Sequence, residues 1–210
     1  MAFKDYFKFN KDKTTLIQYL ISKTESIYLI PNSVTTVEDN AFSGCSSLTG
    51  SLNIPNSVNY IGSRAFNDCK ELRNVTIGES VSSIGSEVFA NCENIVSVNI
   101  PASLNYIGHN AFINCNRLKD LYINDLKSYC DIEWEVIGNH GMEFSSPLDY
   151  ASNLYLNEEL IEVQSEPRES GIEVEKELIG SDIQIDQTLS IEGAAADAKA
   201  AGDRIRNVES

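Results

Sequence analysis

One spacing constrains this chain more than any total does. Phe42, Phe66, Phe89 and Phe112 follow one another at intervals of 24, 23 and 23 residues. Cys45, Cys69, Cys92 and Cys115 stand three residues after each Phe, and Leu48, Leu72, Ile95 and Leu118 three residues later again. Val37, Ile61, Ile84 and Ile107 precede each Phe, and the extra residue of the first interval falls near Thr49-Gly50-Ser51, where a loop absorbs it. A period of this length means one supersecondary unit copied along an axis. One unit cannot bury its apolar face alone, so neighbouring coils must stack to close a core.

The unit reads Ile-Pro-x-Ser-Val-x-x-Ile-Gly-x-x-Ala-Phe-x-x-Cys-x-x-Leu-x-x-Val-x. The third copy has Gly78 for Pro and Val88 for Ala, and the first has Glu38 for Gly. Val75-Thr76-Ile77 and Val98-Asn99-Ile100 alternate, which puts the branched residues on one face of a strand. Proline after the strand ends its pairing and stiffens the corner. A second short run, Ser57-Val58-Asn59-Tyr60-Ile61, alternates as well, and the Gly after it permits a turn. Ala-Phe-x-x-Cys-x-x-Leu then spaces apolar groups by three, as one face of a helical turn does.

These residues resemble the BspA-type leucine-rich repeat, over roughly residues 27–123. The resemblance implies a right-handed solenoid of short parallel β-strands joined by helical turns, with a 23-residue period. Residues 1–26 form a lead-in or cap, in which Lys13-Thr14-Thr15-Leu16-Ile17-Gln18-Tyr19-Leu20 resembles a degenerate first strand. Residues 124–163 form an irregular capping unit. Its marks are Tyr129-Cys130-Asp131-Ile132, Ser146-Pro147-Leu148 and Asn153-Leu154-Tyr155-Leu156-Asn157, and the family more often has Trp for Tyr129 and Asn for Ser146.

Stacking at one strand spacing, ~4.8 Å, turns the phenylalanines and cysteines into buried ladders. A disulfide between neighbouring rungs fits the allowed Cα separation, but five is an odd count and the thiols point inward. Zinc needs ligands converging from paired C-x₂₋₄-C motifs, and the chain has none. Catalysis finds no anchor either. His109 sits beside Gly108 at a solvated repeat position, His140 lies in a loop, and Glu133 and Glu135 solvate an edge around Trp134. Buried cysteines do not serve as nucleophiles, and no phosphate-binding glycine motif occurs. The expected protein is non-enzymatic, without metal or cofactor.

What remains is surface. Outward strand positions align as Leu29, Asn53, Thr76, Asn99 and Tyr122, and a second column holds Thr36, Tyr60, Ser83 and Tyr106. Such rows suit adaptable contact with a protein or glycan on a cell surface. They are also ordinary solvated strand positions. Asn53, Thr76, Asn99, Tyr122, Tyr60 and Tyr106 are the candidate binding residues.

The net charge of −15 is unevenly spread: residues 158–192 hold eleven acids against Arg168 and Lys176. An acidic chain repels phosphate backbones, which excludes nucleic acid as the expected partner. No apolar run approaches the ~18 residues of a membrane span. Met1-Ala2-Phe3-Lys4-Asp5-Tyr6 has lysines with no apolar core after them, so it is not a secretory signal. Residues 164–192 read as an acidic linker with short strands at Ile172-Glu173-Val174 and Ile183-Gln184-Ile185. Residues 193–210 read as an Ala-rich helix. Ile191, Ala194, Ala198, Ala201, Ile205 and Val208 are spaced 3-4-3-4-3, the seam of a coiled-coil start that would make a homo-oligomer. A frayed terminal helix is the plainer alternative.

The segment Asp186–Ile205 resembles a stretch in phage and prophage tail or baseplate-associated proteins. That resemblance implies virion association and assembly in the cytoplasm. The repeat alone implies instead an extracellular, cell-surface adhesin of the BspA type. A structural spacer with no ligand of its own is the third reading.

Overall fold

The computed structural model describes residues 7–20, 29–135 and 146–161, together with the strand pairing of 163–164, 172–174 and 190–191. It is a β-solenoid of about five turns with a period near 23 residues. Each coil contributes a strand to two sheets. The seven-stranded sheet contains β1 (Phe7–Phe9), β2 (Thr15–Tyr19), β3 (Thr36–Val37), β5 (Tyr60–Ile61), β7 (Ser83–Ile84), β9 (Tyr106–Ile107) and β11 (Glu133–Trp134), in that order. The six-stranded sheet runs from β4 (Gly50–Asn53) through β6 (Leu72–Thr76), β8 (Ser97–Ile100), β10 (Asp120–Ile123) and β12 (Asn153–Leu156) to β13 (Glu159–Ile161). Pairing is parallel between coils.

Each sheet gains an antiparallel end strand, at opposite ends of the stack. At the N-terminal end β1 folds back on β2, and Asn10 Oδ1 accepts from Thr14 and Thr15 N–H to set the connection. At the C-terminal end β13 folds back on β12 through Asn157 and Glu158, both at positive φ (51° and 69°). Two consecutive left-handed residues match the right-handed twist of a hairpin. Open strand edges invite pairing with other chains, and caps of this sort blunt them.

The third side of each coil carries the Phe and Cys columns, and it corrects the expected helical turns. The segment is a chain of β-turns: Ala41 N–H donates to Glu38 O, Cys45 N–H to Phe42 O and Leu48 N–H to Cys45 O, each three residues back. Intervening N–H groups leave the coil. Asn40, Phe42 and Gly44 donate to Ser63, Ala65 and Asn67 carbonyls of the next coil at 3.0, 2.7 and 2.8 Å. An α-helix would consume those donors internally. Left-handed residues two before and two after each Phe break the helical path: Asn40 and Gly44, Arg64 and Asp68, Glu87 and Asn91, Asn110 and Asn114. Apolar spacing by three serves both geometries, so spacing alone does not separate them.

The core is continuous along the axis. Tyr19, Phe42, Phe66, Phe89 and Phe112 are buried and stack in sequence, with ring centroids 5.5, 4.9, 5.4 and 5.4 Å apart. Tyr19 thus does the Phe's packing in the lead-in strand. All five cysteines are buried free thiols. Cys69, Cys92 and Cys115 Sγ donate to the carbonyls of Phe42, Phe66 and Phe89 at 3.2, 3.1 and 3.3 Å. Burial pushes the Cys92 thiol up to about 12, so it stays protonated and able to donate.

The glycine after each Ile answers to packing, not to turn conformation. Gly62, Gly85 and Gly108 are buried and do not have positive φ. A Cβ on Gly85 would lie 2.5 Å from Ser63 N and 2.8 Å from Ser63 Cα. The preceding coil's backbone occupies the space. In the first coil Glu38 stands here, facing the straight strand β2 rather than a coil corner.

The capping unit is locally determined. Helix α1 (Leu126–Cys130) starts at Asp125, whose carboxylate accepts from Ser128 N–H at 2.6 Å. Tyr129, buried, lies 3.4 Å from Ser146 Oγ, which also accepts from Leu148 N–H. The two positions that depart from the family resemblance therefore touch each other. Further on, β14 (Val163–Gln164), β15 (Ile172–Val174) and β16 (Ser190–Ile191) form an antiparallel sheet. Ile172–Val174 is the strand expected there, whereas Ile183–Ile185 lies outside the described residues. Ile191 pairs with Ile172 as strand, so it does not open the expected helical seam. Ala194, Ala198, Ala201, Ile205 and Val208 lie outside the described residues.

Candidate binding surfaces

Alternation along β4, β6, β8 and β10 sends their Leu, Val and Ile residues inward and leaves two rows outward on the six-stranded face. One row is Ser51, Asn74, Ser97, Asp120 and Asn153, in register across the strands. Its side chains bond to one another: Asn74 Nδ2 donates to Ser51 Oγ at 3.1 Å, Ser97 Oγ to Asn74 Oδ1 at 2.8 Å, and Asn153 Nδ2 to Asp120 Oδ1 at 2.6 Å. These bonds tie Ser51, Asn74 and Ser97 together and Asn153 to Asp120 as cross-strand pairs.

The second row is Asn53, Thr76, Asn99, Tyr122, Tyr155 and Leu160. Four of the candidate binding residues fall on it in order. Tyr122 and Tyr155 stack at 4.5 Å with 13° between planes, and Leu160 beside them is 44% exposed. Tyr155 comes from the capping unit, outside the 23-residue register, which is why the repeat pattern alone did not include it. Partial burial, then Asp120 and the neighbouring Tyr155, raise the Tyr122 phenol above its ordinary value. Leu29 is exposed but lies outside the described strands, so the row begins at Asn53.

Tyr60 and Tyr106 stand on the other sheet, in the outward row Thr15, Thr36, Tyr60, Ser83, Tyr106 and Glu133. The row behind it begins with Ile17 and Glu38, continues through Gly62, Gly85 and Gly108, and ends at Glu135. Glu135 does more than solvate an edge. Its Oε2 accepts from Ser86 Oγ at 2.6 Å and from His109 N–H at 3.0 Å. Those hydrogen bonds, backbone His109 first, hold its carboxyl below the ordinary range. His109 is half-buried rather than solvated.

Among the described residues no group of three or more His, Cys, Asp or Glu side chains converges as a metal site would. No helix among them is long and apolar enough to cross a membrane. The Phe and Cys columns are enclosed, whereas the outward strand rows are within reach of a ligand.

Comparison with known proteins finds leucine-rich repeat proteins similar to this chain. A leucine-rich repeat protein of T. pallidum is 26% identical over 58% of this chain and 70% of its own, with a TM-score of 0.42. A leucine-rich cell surface protein of Faecalibacterium prausnitzii is 25% identical over 63% of this chain and 41% of its own, with a TM-score of 0.48. A leucine-rich repeat protein of Bacteroides capillosus is 29% identical over 57% of this chain and 93% of its own, with a TM-score of 0.45. No curated protein matches the chain. The family described as BspA type leucine rich repeat region, in six copies, matches residues 18–133, and the phage-protein resemblance expected for residues 186–205 finds no support. With more than half of its residues inside that match, the chain belongs to the BspA-type leucine-rich repeat family.

Proposed function

We propose that this protein is a non-enzymatic binding scaffold whose ligand is a protein or glycan presented on a cell surface. The observation that carries the reading is the row on the six-stranded face, where Asn53, Thr76 and Asn99 lead to the stacked Tyr122 and Tyr155. Amide and hydroxyl groups supply adaptable hydrogen bonds, and rigid tyrosines supply contact area at small entropic cost. Parallel strands hold these groups at fixed spacing, so little ordering is left for binding to offset. Family membership supports the scaffold role, since solenoids of this kind present extended surfaces.

Arrays of glycans and matrix proteins probed with the full chain test this directly. Binding to at least one class, lost tenfold or more in Tyr122→Ala/Tyr155→Ala, is the expected result. Silence of both monomeric and artificially oligomerised chain would leave the spacer reading in its place. We place the scaffold at a bacterial cell surface, on the strength of the family. The virion-associated alternative rests on residues 186–205 alone, and tail or lysis genes beside the coding sequence are the observation it requires.

A further inference from the structure

The two capping strands finish their sheets differently. In β1 the exposed central residue is Lys8, and a charge on an end strand discourages further pairing. In β13 the central place is taken by Leu160, which is 44% exposed. Beyond β13 the six-stranded sheet has no further strand among the described residues.

The hydrogen-bonding phase determines what this edge offers. Asn153 N–H donates to Lys119 O at 2.9 Å, and Asn157 N–H, just past the end of β12, to Ile123 O at 3.1 Å. Main-chain groups alternate from side to side along a strand, so those of Asn153 and Tyr155 face β10 and those of Leu154 and Leu156 face β13. Across the hairpin Leu154 lies opposite Ile161 and Leu156 opposite Glu159, which sets Tyr155 opposite Leu160. Leu160 is therefore at a non-hydrogen-bonded pair, and its own N–H and C=O point away from β12. One residue thus presents a donor, an acceptor and an exposed apolar side chain. Leu160 also ends the outward row in which Tyr122 and Tyr155 stack, so that row runs to the open edge.

Charge selects the occupant. Glu158 and Glu159 are exposed beside Leu160. Residues 158–192 hold eleven acids against Arg168 and Lys176. A second copy would bring the same acids to the edge, and so would the chain's own continuation. A segment bearing Lys or Arg is attracted instead.

We propose that β13 accepts an added antiparallel strand, an extended segment of a protein partner with an apolar residue opposite Leu160 and a basic residue on either side of it. An antiparallel strand satisfies both main-chain groups of Leu160 with one residue, and the apolar side chain prolongs the row of Tyr122, Tyr155 and Leu160. This rests on the reading of that row as a binding surface and narrows its ligand to protein.

The test is amide exchange and amide shift titration of the isotope-labelled full chain with the end-blocked peptide Thr-Lys-Val-Lys-Thr. In the free chain the Leu160 amide should exchange fast while those of Glu159 and Ile161 are protected. Protection of Leu160 there means that a second copy or the chain's own tail already covers the edge, and overturns the proposal. Added peptide should slow Leu160 exchange and shift the β13 amides saturably. Methylating the valine nitrogen, which removes the paired donor, should weaken binding about threefold to tenfold. Replacing both lysines by glutamates, or Leu160→Lys in the protein, should weaken it about as much or more. Equal binding of the N-methylated peptide, or shifts confined to residues 164–192, overturns the proposal. The two readings fail separately. An array ligand lost in Tyr122→Ala/Tyr155→Ala but retained by Leu160→Lys would keep the row and refute the added strand. Silent arrays with the peptide effects intact would support the added strand and refute the wider row.

Discussion

The inside and the outside of each coil obey different rules. Inside, the same residue recurs at each level: Phe on Phe, Cys on Cys, Ile on Ile, each buried. Outside, Asn53, Thr76, Asn99 and Tyr122 occupy equivalent positions and no two neighbours are alike. Stacking at one strand spacing rewards identical shapes in a closed column, because interiors are packed like crystals. Solvent imposes no such demand. Sameness therefore marks what holds the solenoid, and variation marks what it can offer to a ligand.

Substitutions at the two kinds of position test that contrast. Phe66→Ala removes a ring stacked on both sides and should cost about 3–5 kcal/mol of unfolding free energy in denaturant titration. A loss below 1 kcal/mol would mean that the column does not act as one core. Gly85→Ala should cost about 1–3 kcal/mol, since its Cβ would press on the Ser63 backbone. A crystal structure of that variant should show the coils spread locally, and an unchanged melting temperature would contradict the packing account. Cys92→Ser tests the thiol ladder more finely. Serine still donates to the Phe66 carbonyl but puts a hydroxyl in an apolar column, so a loss of about 1 kcal/mol is expected.

Glu158→Gly acts in the opposite direction. Glu158 holds φ at 69°, and glycine adopts that conformation without strain, so a gain of several tenths to ~1 kcal/mol is expected. A loss would point to a side-chain role for Glu158. Smallest of all, Thr76→Ala should change stability by no more than about 0.5 kcal/mol. A larger effect would blur the division between inside and outside.

The repeat made the inward columns legible because any stacked periodic chain must bury its recurring apolar positions. From sequence the turn side reads as helical, and the structure departs from that for a definite reason. Three-residue apolar spacing fits a helix and a run of β-turns equally, and the deciding residues are polar. Gly44, Asp68, Asn91 and Asn114, two after each Phe, are residue types that tolerate left-handed backbone. That column was a usable signal. Arg64 and Glu87 are also left-handed, and nothing in their side-chain type announces it.

The sequence by itself determined the period, the family and which side chains face in, since those follow from local alternation copied at a fixed interval. Tertiary structure alone decided the rest. It shows why glycine follows each Ile, because the obstructing atoms belong to the preceding coil. It brings Tyr155 of the capping unit onto Tyr122, 33 positions earlier and outside the repeat's register. It also seats Glu135 on Ser86 and His109, two and one coils away. Contacts between unlike coils depend on how the stack closes in three dimensions, and periodicity carries no information about them.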